Sequence, residues 1–133
     1  MKFFLALLAL AFVAMAVEVS DNVTGDIDKA IKEVCHMAEG ISYSSACQTH
    51  DCVVKLKTGD CWGMSDFLAC ELKKRGVEAK ALQYSTDFCD KHRSVVYNDT
   101  QGEWVRFPNK CFSNPKFWDT DDVFKGKEVP TTC

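Results

Sequence analysis

Gly59-Asp60-Cys61-Trp62-Gly63-Met64-Ser65-Asp66-Phe67-Leu68-Ala69-Cys70-Glu71-Leu72-Lys73-Lys74-Arg75-Gly76 reads as one helix complete with its start and stop signals. Asp60 is a good N-cap, because a short carboxylate accepts from the unpaired N–H groups of a first turn. Gly76 stands where a C′ glycine ends a helix. Between them Trp62, Leu68 and Leu72 recur at helical spacing, with Phe67 and Ala69 beside them. Cys61 therefore falls in the first turn. Free N–H groups and the positive end of the helix dipole favour a thiolate there, and the thiolate is the nucleophilic form. The stretch thus predicts a central helix and a reactive sulfur together.

Downstream, Val77 to Tyr84 is short, follows a helix stop and predicts a strand. Ser85 to Lys91 is a polar connection that contains Cys89. His92-Arg93-Ser94-Val95-Val96-Tyr97 predicts a second strand, Asn98 to Gly102 a turn, and Glu103-Trp104-Val105-Arg106-Phe107 a third strand. The last two form a hairpin. Centring its turn between Thr100 and Gln101 places Tyr97 opposite Trp104, a stabilising aromatic pair, and His92 opposite Asn109. Asp99 lies at the far end of the strand, roughly 23 Å from His92 at about 3.3 Å per residue, so only Asn109 is placed to orient that imidazole.

Upstream, Ile27, Ala30, Ile31, Val34 and Ala38 mark an amphipathic helix over Asp26 to Glu39. Gly40 to Thr58 reads as a connector pinned by disulfides, in which Cys47 and Cys52 pair with Cys35 or with each other. The tail from Lys110 to Cys133 has aromatic residues without periodicity, as expected of a segment folded over a domain and fastened by Cys111 and Cys133. Cys70 bridges to a strand or stays an inert core thiol. Trp62, Trp104 and Trp118 are expected in the core.

The chain has 133 residues, enough for one compact domain. Met1-Lys2, the apolar run Phe3 to Val13 and the ending Ala14-Met15-Ala16 read as a secretory signal peptide over residues 1–16, too short to span a bilayer. The single domain then covers residues 17–133, exported to the extracellular space. All eight cysteines fall within it, where an oxidising compartment permits disulfides. If Cys61 stays reduced, an odd number remains, which demands a second free thiol or an intermolecular bond. A net charge of −3 with dispersed lysines argues against nucleic-acid binding. His36 beside Cys35 and His50 near Cys52 lack metal-ligand spacing, so neither a metal nor a cofactor is expected.

A helix-start cysteine, a strand-start histidine and an amide on the neighbouring strand supply the three roles of a thiol peptidase. Cys61 is the nucleophile, His92 the base that forms the ion pair and later protonates the leaving amine, and Asn109 the group that fixes the imidazole. Gly59-Asp60-Cys61-Trp62, Leu72 to Lys80, His92 to Tyr97 and Gly102 to Phe107 together resemble the core of the transglutaminase-like superfamily. Within it they are most similar to the short peptidases called pseudomurein endoisopeptidases, which cut peptide cross-links in archaeal cell walls. The resemblance covers Gly59 to about Asn109. It implies an α+β fold with a papain-like core, the nucleophile helix packed on a small antiparallel sheet, and a monomer acting on a peptide or isopeptide substrate. It also implies Cys61 as nucleophile and His92 as base. The family's aspartate position, counted from Trp104, is occupied by Pro108, with Asn109 one step further. Two other readings share these residues: a noncatalytic secreted binding or effector protein with Cys61 in a bridge, and acyl transfer to an amine instead of water.

Overall fold

The computed structural model describes residues 26–133. The signal-peptide expectation for residues 1–16 lies outside them. Helix α1 covers residues 26–39, α2 His50–Leu56 and α3 Cys61–Lys74. Short strands β1 (Ser42–Tyr43) and β2 (Thr58–Gly59) pair in parallel, Tyr43 opposite Gly59. Strands β3 (Ala79–Tyr84), β4 (His92–Asn98), β5 (Trp104–Arg106) and β6 (Lys127–Val129) form an antiparallel sheet in the order β5-β4-β3-β6. The architecture is α+β, with a small antiparallel sheet and three disulfides.

Helix α3 is the centre. Every residue from Gly63 to Leu72 is buried, as happens when a helix is covered on all sides. One face meets β3 and β4, another meets α2. The Asp60 carboxylate accepts from the Trp62 and Gly63 N–H groups, at 3.0 and 2.9 Å, and Gly76 takes the left-handed φ of +80° just past the end. Gly63 also permits a close approach: a Cβ there would stand 2.3 Å from the Cys47 carbonyl oxygen. Its buried carboxylates are matched. Asp66 accepts from the His50 N–H at 2.7 Å and the Thr132 N–H at 2.9 Å, and Glu71 meets His50 Nε2 at 2.9 Å and Lys74 at 3.1 Å.

Helix α1 lays Ala30, Val34 and Ala38 into the same core, the face its periodicity predicts. Three expectations need correction. The connector from Gly40 to Thr58 holds a helix and two bridge strands, because His50 and Val53 face α3 and bury. The tail adds β6 to the sheet, pairing Leu82 with Glu128. The hairpin register is shifted by one residue: Tyr97 faces Val105 and Asn98 faces Trp104. The cause is local. Asp99 accepts from the Gln101 and Glu103 N–H groups, and Gly102 adopts φ +78°, so the turn takes in Glu103 as well. A shift of one exchanges the faces. Trp104 then packs with Leu82, Tyr84, Val96 and Val123, while Tyr97 packs on the α3 side. Trp118, expected inside, is exposed.

The disulfides join Cys35 to Cys111, Cys47 to Cys52 and Cys70 to Cys133. Cys61 and Cys89 are both free, which resolves the parity problem with a second thiol inside the chain. Denaturing the unreduced protein and titrating with a thiol reagent should give two thiols per chain; zero or one would contradict this pairing. Among the described residues no helix is long and apolar enough to cross a membrane. The three disulfides are compatible with an oxidising, extracellular setting.

Candidate active site

Cys61 is the first residue of α3, so its backbone N–H is one of the four left without an intrahelical acceptor. That N–H and the Arg93 backbone N–H both act on the sulfur and favour the thiolate. They do not prevail. Burial pushes the thiol up from its usual value, and the neighbouring Asp60 charge adds to it. The expectation that the helix start favours a thiolate is therefore corrected. The N-cap that begins the helix also places a carboxylate beside the sulfur and takes up the N–H groups of the next two residues.

His92 opens β4 opposite Tyr84 and is almost fully enclosed, 1 % exposed. The Tyr84 ring meets the imidazole edge-on at 5.3 Å and the Phe88 ring at 5.1 Å. Burial lowers the His92 pKa, and a hydrogen bond with the Trp118 backbone offsets part of that. Nε2 is buried with no hydrogen-bond partner among the described residues. The two shifts point the same way: both groups are driven to their uncharged forms, so the resting pair is thiol and imidazole instead of a preformed ion pair.

Cys61 and His92 line one cavity of about 380 Å³, together with Tyr43, Phe88, Cys89, Pro115 and Lys116. The β1–β2 pairing delivers Tyr43, since its partner Gly59 lies two residues before Cys61. Lys116 sits over the Tyr43 ring at 4.7 Å, giving the cavity two aromatic walls and one cation. Beneath Cys61 the Arg93 guanidinium stacks on Trp62 at 3.6 Å, and the Trp62 Nε1–H donates to the Lys91 carbonyl at 2.8 Å. These contacts tie the start of α3 to the start of β4.

Asn109 is not brought to the imidazole. It lies in a 3-10 turn, Asn109–Cys111, beyond the end of β5. Its Oδ1 accepts from the Asp119 N–H at 2.8 Å and its Nδ2 donates to the Asp119 carbonyl at 3.2 Å, so both ends of the amide are engaged. β5 ends at Arg106, before the position opposite His92, and Asn109 turns off into the 3-10 turn that follows Pro108. Asn109 reaches the histidine only at one remove, by fixing the backbone next to Trp118.

The sequence reading missed Asp119, Ser94 and Tyr84. Ser94 was accessible in principle, because it shares a strand face with His92 at a spacing of two. Asp119 had no signal: a buried acid in an aperiodic tail looks like any surface aspartate. No protein-family model matches this chain, and no curated protein is similar enough in sequence to count as a relative.

Proposed function

We propose that this protein is a secreted thiol hydrolase of amide bonds, a cysteine peptidase or isopeptidase built on a transglutaminase-like core. The observation that carries the reading is a free cysteine at a helix start and a buried histidine at a strand start, its Nε2 without a hydrogen-bond partner, on the walls of one cavity. In the reaction the Cys61 S–H proton passes to the His92 imidazole, and the sulfur bonds to the substrate carbonyl carbon. The Cys61 backbone N–H helps hold the oxyanion. The carbon–nitrogen bond breaks and the imidazolium proton leaves with the amine. Water then attacks the thioester with His92 as base, releasing the acid and restoring the thiol. The aromatic walls suit a peptide segment, and Lys116 suits a carboxylate on it, as peptide cross-links of microbial walls carry.

The test uses amide-linked peptides and isopeptides as probes, reading amine release together with mass-spectrometric trapping of an acyl group on Cys61. Release with a Cys61 adduct supports the reading. No release and no adduct across the panel would favour a noncatalytic binding protein, and product carrying an added primary amine would mean transfer instead of hydrolysis. A second measurement follows from the raised thiol and the lowered histidine. Alkylation of Cys61 by iodoacetamide should be slow at pH 7 and climb only above the ordinary thiol range. A fast plateau near pH 6 would reveal an ion pair and overturn the uncharged resting state.

A further inference from the structure

Three carboxylates are buried among the described residues: Asp66, Glu71 and Asp119. The first two are fully matched by His50, Thr132 and Lys74, as described. Asp119 is not: it is 5 % exposed, and its Oδ2 has no hydrogen-bond partner. An unpartnered buried carboxylate opposes folding, so its place is better explained by what it faces. It shares with Cys61 and Ser94 a narrow cavity of about 10 Å³ beside the sulfur. From it a line of hydroxyls runs to the histidine. Ser94 lines that cavity with Asp119 and opposes the rise of its pKa, the Tyr84 and Ser94 hydroxyls are 2.9 Å apart, and the Thr120 N–H donates to the Tyr84 oxygen at 3.4 Å. The Tyr84 ring packs on His92, and the carbonyl touching that imidazole belongs to Trp118, the residue just before Asp119.

We propose that Asp119 is the positioning acid of this site: through Ser94 and Tyr84 its carboxylate fixes the His92 ring, and its charge stabilises the imidazolium formed when Cys61 gives up its proton. The inference rests on Cys61 and His92 acting as nucleophile and base. Burial raises the Asp119 pKa to about 7, with Ser94 and the Arg106 charge opposing. The other titratable groups facing it are Tyr84 from β3, Arg93 from β4 and Cys61 from α3. Asp119 is therefore neutral below about pH 7 and charged above it. Because its pKa lies above the unfolded value, the stability its protonated form contributes is present at low pH and lost as pH rises toward 7. Asparagine copies the protonated shape, so Asp119→Asn should be at least as heat-stable as the natural chain at pH 8.

The experiment follows the His92 ring and the Asp119 carboxyl by NMR in isotopically labelled protein, with Asp119→Asn and Ser94→Ala as variants. The His92 resonance should show a second inflection near pH 7 that coincides with the Asp119 titration, and both variants should lose or displace it. With an amide probe, Asp119→Asn should lower kcat by roughly 10- to 100-fold with KM little changed, a part of what a positioned base supplies. A histidine that titrates in one step, identically in all three proteins, would overturn the proposal even if Cys61 hydrolyses amides. If no amide probe is cleaved, the hydrolase reading fails while the NMR titration still decides whether Asp119 acts on His92.

Discussion

Cys61→Ala is expected to abolish amide hydrolysis, with a loss on the order of 10⁴-fold or more, while the fold stays intact. Removing a covalent nucleophile leaves only whatever the oxyanion donors and binding contribute, and losses of that size are typical. The structural cost is small because Cys61 is only half-buried, bonds to no other cysteine and sits at N1, where alanine is tolerated. Stability should change by less than about 1 kcal/mol. Cys89→Ala provides the contrast. It is the other free thiol and lines the same cavity, so its loss should lower turnover less than tenfold, roughly as expected of a wall residue. The measurement is amine release paired with a thermal melt. Activity retained in Cys61→Ala would move the chemistry elsewhere, and loss in both variants together with unfolding would mean the thiols are structural.

The second large effect is on stability. Opening Cys35–Cys111, by replacing both with alanine, should cost about 4 to 5 kcal/mol, since this bridge closes the longest loop, with a sequence separation of 76. In a domain of this size that lowers Tm by about 15 to 25 °C. Cys47–Cys52, with a separation of 5, should cost about 2 kcal/mol on the same argument. Calorimetry on the two double variants tests the order, and a larger loss from the short loop would contradict it. The long bridge matters to the site as well. Cys111 ends the turn that carries Asn109, and Asn109 holds the backbone of Asp119 from both sides. Releasing that turn loosens the segment whose carbonyl touches His92, so activity should fall before the protein melts.

The residues before and after Cys61 were sufficient to foresee α3, because a cap, an apolar period and a terminating glycine are local properties that act within one helix. The same holds for α1 and for the existence of β3, β4 and β5. The connector helix α2 and the edge strand β6 were not legible. Both lack a strong period of their own and exist because partners elsewhere, α3 and β3, bury or pair them. The hairpin shows the limit most sharply. Its strands follow from composition, whereas its register depends on how Asp99 and Gly102 shape a turn, and one residue of difference exchanges every side chain between faces.

The sequence by itself determined which atoms are available for chemistry: a sulfur at a helix start, an imidazole at a strand start, and an even set of cysteines in one small domain. Only the tertiary structure decided their state. It paired six sulfurs and left two free, buried the thiol and the imidazole until both prefer to be uncharged, turned Asn109 toward the backbone, and brought a buried carboxylate from the tail into the narrow cavity beside the sulfur. Cap and period act between neighbours along the chain, whereas burial and ion placement come from segments far apart in it, which is why no local pattern announced Asp119.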